Sequence, residues 1–408
     1  MLRKGELQSR KQKISSAKRG EPLELSPEQE RLLKEGSYGE RKALELLIAL
    51  GDVYDASKLI PVTSVHISGA SYKTIGDPGL RFLSEICEGC RAKVKSTVNP
   101  IGMDRERFHE MRVSEEFVVK QKEIIGYYES LGVLDSWTCT PYLIGNRPGL
   151  GEHVAWAESS AVIFANSVLG ARTNREGGPS ALASSITGLT PDYGLHKEEN
   201  RKADVLFELE FDLEEKEFAP LGSFAGEICG ARMPYFKKLS ATEDNLKTLS
   251  ASLASSGSVS MFHIEGLTPE WELGLKEECE SVSVDRKDLE EIADSWNTED
   301  DPDLVAFGCP HCSTAELGKL ADMLKDGWKG PELWVCTSRA VCENIPETVQ
   351  LINKHGKLLC DTCVIVSSVE DFSSTIATNS GKASTYLPTL CKQKTMFADA
   401  ETLVRRFQ

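Results

Sequence analysis

The stretch LIPVTSVHISGASY, residues 59–72, is a β-rich run that stops at Gly69. A strand ending in a glycine-containing turn is where an α/β protein presents backbone donors to a ligand. Downstream, RAKVKSTVNPIGMD (91–104) reads as a strand followed by a turn, and SEEFVVKQKEIIGYYESLG (114–132) as a helix. SWTCTPYLIG (136–145) reads as a strand running into a loop. WAESSAVIFANSVLGARTNREGG (156–178) reads as one helix that begins near Trp156 and ends at a glycine. This succession of strand, helix and strand predicts an α/β fold with largely parallel sheets.

Upstream, SPEQ at Ser26–Gln29 is a capped helix start with proline at the first helical position. KEGSYGE breaks that helix, and a second apolar stripe runs from Arg41 to Leu50 and ends at Gly51. From 203 to 265 the texture turns β-rich, in DVLFELEF (204–211) and SVSMFHIEG (258–266), with a helix between. The acidic, proline-bearing stretch near 299 marks a unit boundary. Beyond it LVAFGCPH, ELWVCTS, LLCDTCVIVS and STYLP read as strands separated by helices. The expected organisation is a basic solvated tail (1–22), a larger α/β region (23–298) and a smaller doubly wound unit (299–408).

The 408 residues exceed what one hydrophobic core usually organises. A net charge of −16 argues against nucleic acid as a partner, because phosphate binding needs clustered Lys and Arg. No apolar run approaches the ~20 residues of a membrane-spanning helix. The N-terminus lacks the apolar core of a secretory signal, so a cytoplasmic location is expected. Twelve cysteines in such a chain should be mostly reduced, with Cys229 and Cys342 as small buried core residues.

The spacing of Cys309/Cys312 and Cys360/Cys363, with CEGC (87–90) as a third pair, admits several chemistries. Structural zinc uses two such knuckles, usually closer together. A redox dithiol needs a helix N-terminus to lower its thiol pKa. A third reading takes Cys139, Cys309 and Cys363 from three separate loops, where three thiolates could hold three corners of an iron–sulfur cluster. Spacing alone leaves these open.

PVTSVHISGASY, VNPIGMD, WTCTPY, the block from Trp156 to Gly188, GCPH, DTC and GKASTYLP together resemble the aconitase X family, in order, from about Leu23 to Arg406. The resemblance implies dehydration of a hydroxy acid without net redox change at a [4Fe-4S] cluster. It also implies a large subunit lacking the swivel domain, which a separate small subunit would supply in a heterodimer. The substrate it favours is (R)-5-phosphomevalonate, giving trans-anhydromevalonate 5-phosphate in the archaeal mevalonate pathway. The alternatives are cis-3-hydroxy-L-proline dehydration and a non-catalytic metal-binding scaffold.

Carried over by motif, the resemblance assigns Cys139, Cys309 and Cys363 as cluster ligands and leaves Cys312 and Cys360 as neighbours. It places substrate contacts at Gly69, Ala70, Ser71, Asn99, Pro100, Glu158, Ser159 and Lys382, with Ser71 and Glu158 as catalytic groups. The chemistry is reasonable at each. Gly69 permits close backbone approach, Pro100 biases Asn99 to an extended conformation, and Lys382 suits a carboxylate or phosphate. Taken singly, they could equally be a turn, a turn cap, a helix cap (Glu158) and a solvated surface charge (Lys382). Arg172, Asn174 and Arg175 form a second-rank anion-binding group. His66 and His311 are either acid/base residues or satisfied hydrogen-bonding ones.

Overall fold

The computed structural model describes residues 23–408; the segment 1–22, expected as a solvated tail, lies outside the described residues. Ser26 opens the helix Pro27–Glu35 through a reciprocal capping box with Gln29. A second box, between Ser37 and Glu40, starts the next helix at Tyr38 and carries it to Val53. The expected break therefore narrows to Gly36 and Ser37, and Gly51 lies within the helix rather than ending it.

Five strands follow: β1 (Leu59–Pro61), β2 (Ser64–Ile67), β3 (Lys95–Val98), β4 (Val154–Trp156) and β5 (Leu189–Pro191). β2 is central, with β3 and β4 parallel on either side, while β1 and β5 form a small antiparallel pair. Two expectations fail here. SWTCTPYLIG forms no strand: Leu134 and Thr138 donate to Ser96 and Val98 of β3, but Trp137 between them has φ 36°, which breaks an extended backbone. The helix expected from Trp156 is instead the end of β4 followed by two helices, Ser159–Ser167 and Gly178–Thr187. The first is buried on every side, at all but its first residue, so it lacks the one-sided pattern of a surface helix.

The next sheet, β6 (Ala203–Leu209), β7 (Pro234–Lys237), β8 (His263–Ile264) and β9 (Leu275–Val284), is parallel in the order β8-β7-β6-β9. SVSMFHIEG contributes only the two residues of β8. Val205, Phe207, Phe236 and Ile264 pack with helices Phe218–Cys229 and Glu243–Ser256 and with Phe164 of the buried helix.

The last sheet contains β10 (Leu304–Phe307), β11 (Glu332–Thr337), β12 (Lys357–Cys360), β13 (Thr375–Thr378) and β14 (Lys394–Phe397). All are parallel, in the order β12-β11-β10-β13-β14. STYLP is not a strand here but lies inside the helix Gly381–Leu390, capped by Ser380. Side-chain alternation splits this sheet cleanly. Leu304, Ala306, Trp334, Cys336, Leu359 and Ile376 face a core shared with Val65, Ile67 and Val98 of the first sheet. Val305, Phe307, Leu333, Val335, Leu358 and Ala377 face the other way, onto helices at 314–324, 346–352 and 400–406.

Candidate active site

Apart from Cys139, the expected site residues lie in loops or first helical turns that follow the carboxyl ends of parallel strands, where open α/β sheets bind ligands. The Gly69–Ser71 turn follows β2, Asn99 and Pro100 follow β3, and Glu158 and Ser159 follow β4. Cys309 follows β10 and Lys382 follows β13, on the two strands where the order of the last sheet reverses. Cys363 follows β12. Direct bonds bring the two groups together: Ile101 N–H donates to Asp361 O (2.8 Å). The Ser71 hydroxyl donates to Val366 O (2.8 Å) rather than capping its own helix.

Lys382 is no surface charge. Its buried ammonium pairs with Glu158 Oε1 and lies 3.3 Å from Ser160 Oγ. Glu158 Oε2 accepts from Asn99 Nδ2 (2.6 Å), and Asn99 Oδ1 lies 2.8 Å from His66 Nε2. A carboxylate only accepts, so the Asn99 amide must present its nitrogen to Glu158 and its oxygen to His66. His66 therefore carries its proton on Nε2, and Nδ1 accepts from the Thr97 hydroxyl 2.8 Å away on the facing strand. Asn146 Nδ2 donates to the same hydroxyl (2.8 Å). The result is one buried chain, Asn146–Thr97–His66–Asn99–Glu158–Lys382.

Charge follows from this chain. Burial raises the Glu158 carboxyl, but the Lys382 ammonium and the Asn99 amide outweigh it and hold the group at about 2. Burial lowers the Lys382 ammonium, and the Glu158 carboxylate carries it above the ordinary lysine range. Burial takes His66 down to about 4 despite Asn99, so the imidazole is neutral near pH 7. His66 is thus a satisfied hydrogen-bonding residue in this state.

The thiols separate by face. Cys363 belongs to the core shared with the first sheet and Cys309 packs against it, whereas Cys312 and Cys360 belong to the opposite core. Cys360 Sγ lies 3.3 Å from Cys342 Sγ, and Cys342 is half-buried rather than a core residue. Neither C-x-x-C pair closes on itself. Among the described residues no three His, Cys, Asp or Glu side chains converge as a single metal ion requires.

Sequence reasoning missed the supports. Gln121, wholly buried, donates to Ala70 O (2.9 Å) and accepts from Tyr72 and Gly102 N–H, locking the first two turns together. Thr97 and Asn146 stood outside the family motifs and Ser160 lay in the Trp156–Gly188 block without an assigned role; the register that sets Thr97 opposite His66 appears only in the fold. Arg172 and Asn174 are occupied by the 193–198 loop, and Arg175 donates to Val259 O (3.3 Å). A cavity of about 760 Å³ touches Cys309 and Ser380 but none of Asn99, Glu158 or Lys382. The polar chain, not that cavity, carries the convergent donors.

Sequence-family profiles for the first, second and third domains of aconitase X match residues 22–199, 203–294 and 302–407. The chain belongs to the aconitase X family. It is 44% identical over 400 residues to the phosphomevalonate dehydratase large subunit of Methanocaldococcus jannaschii, covering 93% of this chain and 99% of that one. The cis-3-hydroxy-L-proline dehydratase of Hypocrea jecorina is 32% identical, over 93% of this chain and 67% of that enzyme. The crystal structure of Thermococcus kodakaraensis aconitase X in its holo form superposes with a TM-score of 0.89 at 38% identity, over 95% of this chain and 100% of that one. The fold is thus the aconitase X fold, an α/β architecture of several parallel sheets. No helix among the described residues is long and apolar enough to cross a membrane.

The family suggests a metal cofactor, and the residues that could hold one include three thiols. Cys139, Cys309 and Cys363 are free thiols, with Cys309 half-buried and the other two buried. Each comes from a different loop. Burial pushes the Cys309 thiol up to about 12, and raises Cys139 and Cys363 as well, while the Lys382 ammonium opposes burial at all three. The His311 N–H donates to Cys139 Sγ (3.2 Å), and the Ile365 and Val366 amides favour the Cys363 thiolate. Donors aimed at sulfur stabilise thiolate ligands.

Proposed function

We propose that this chain is the large subunit of a hydro-lyase that removes water from (R)-5-phosphomevalonate to give trans-anhydromevalonate 5-phosphate. In this reading Cys139, Cys309 and Cys363 hold a [4Fe-4S] cluster, and a small subunit carrying a swivel domain completes the enzyme in the cytoplasm. The observation that carries it is the buried Lys382–Glu158–Asn99 chain, which shares its electrostatic environment with three free thiols. Its support is the near full-length match to phosphomevalonate dehydratase large subunits, at 44% identity for two of them.

When bound, the cluster would supply a Lewis acid for the departing hydroxyl. The chain's own residues do the rest. Lys382 binds an anionic end of the substrate, and Gly69, Asn99 and Ser159, each partly exposed, contact it. A substrate carboxylate that draws Lys382 away from Glu158 removes the interaction that keeps this carboxyl acidic. Glu158 then becomes basic enough to take a proton from carbon while Asn99 holds its other oxygen. Ser71, in the neighbouring turn, gives up its bond to Val366 and relays that same proton from Glu158 to the departing hydroxyl, which leaves as water.

The assembled, iron-loaded complex, given 5-phosphomevalonate and cis-3-hydroxy-L-proline separately, should form alkene from the phosphorylated acid only, read as mass loss of water. Turnover of the proline derivative alone would transfer the assignment to the other dehydratase. This chain without its small subunit should be nearly inactive, because one wall of a water-limited pocket is missing. Full turnover by the isolated chain in the same assay would reject the two-subunit reading.

A further inference from the structure

His311 lies two residues beyond Cys309 and is wholly buried. Its Nε2 is 2.9 Å from Thr362 O and its Nδ1 is 2.9 Å from Thr138 Oγ1. A carbonyl only accepts, so Nε2 carries the proton and Nδ1 accepts from the Thr138 hydroxyl. The backbone N–H of His311 donates to Cys139 Sγ (3.2 Å), and its carbonyl accepts from Lys247 Nζ (3.2 Å). Thr138 immediately precedes Cys139, and Thr362 immediately precedes Cys363. One imidazole thus joins the Cys309 loop to two others, 173 and 51 residues away in sequence.

We infer that His311 is a positioning residue that fixes the three thiol-bearing loops relative to one another and takes no part in proton transfer. Both ring nitrogens already have partners, and the ring has no exposed atom through which to meet a substrate. Two short polar side-chain contacts to different loops hold a constellation more closely than three independently mobile loops could. The purpose of the link rests on the cluster reading; the link itself does not.

The test uses the full chain with its small subunit, handled anaerobically, and two variants. His311→Gln keeps an N–H able to reach Thr362, but its amide oxygen, on the same carbon as that nitrogen, does not occupy the place from which Nδ1 accepts from Thr138. Thr138→Val removes that hydroxyl and keeps the imidazole. In the metal-free protein, N-ethylmaleimide labelling followed by peptide mass spectrometry gives a rate for each thiol. In the iron-loaded protein, loss of visible absorption to a chelator gives the rate of cluster loss.

Each variant should label Cys139, Cys309 and Cys363 about 3- to 10-fold faster, the range set by losing one buried hydrogen bond. Cluster loss should accelerate by a similar factor. The double variant should exceed the faster single one by less than about twofold, because both changes break one link. Cys229, buried in the second core, should keep its wild-type rate. Unchanged labelling of the three thiols, or equal acceleration at Cys229, would overturn the inference. Selective acceleration in a protein that takes up no iron would reject the cluster and leave the His311 link standing.

Discussion

Lys382→Ala should slow dehydration by roughly 30- to 1000-fold, about 2–4 kcal/mol of transition-state stabilisation, as removal of a charge-assisted contact does. The same change should destabilise the fold by about 3–5 kcal/mol, since it strands the buried Glu158 carboxylate without its partner. The two effects separate in the double variant Lys382→Ala/Glu158→Gln. Much of the stability should return because no buried charge is left, while activity should stay low. Recovery of activity in the double variant would show that Lys382 serves only to neutralise Glu158.

The pH dependence has a fixed sign. Glu158 is depressed from the ordinary 4.5 to about 2 in the folded protein, so its stabilisation is complete above 4.5 and is lost as pH falls towards 2. The stability gap between wild type and Lys382→Ala should therefore narrow across that window. Denaturant unfolding at pH 7 and at successively lower pH measures it, and a gap that widens on acidification would contradict the pairing.

Serine at Cys139, Cys309 or Cys363 should abolish stoichiometric iron and sulfide and the brown thiolate-to-iron absorption. Loss of an outer hydrogen-bonding partner alone costs about 10- to 100-fold in metal affinity, and losing a ligand should cost more than about 100-fold. Cys312→Ser and Cys360→Ser should keep the cluster, because both thiols lie in the core on the opposite face of the last sheet. Full iron content in any of the first three variants would sink the ligand set, and loss of iron in Cys360→Ser would implicate the Cys342 contact.

Much of the architecture is written locally. Ser26 with Gln29 announces a helix because a side chain and a backbone N–H three residues apart satisfy each other without tertiary help. The apolar runs of β10, β11 and β12 announce a buried parallel sheet because strands covered on both faces need no polar alternation. Local pattern misleads where long-range packing sets the conformation: STYLP has strand-forming residues but follows the Ser380 cap into a helix, and Trp137 bends a segment that otherwise reads as extended.

Around the cysteines the sequence by itself determined only that thiols stand in loops near strand ends. Their ligand roles came from family resemblance, and the spacing between them remained compatible with zinc, redox or cluster chemistry. The tertiary structure decided which member of each C-x-x-C faces the first sheet, because the direction of a side chain depends on its place in the pleat and on the turn after it, here with Asp361 at φ 66°. It also decided that Glu158 meets Lys382 across 224 residues of chain. Such a meeting depends on the order of strands in two different sheets, and no periodicity of three or four residues encodes that order.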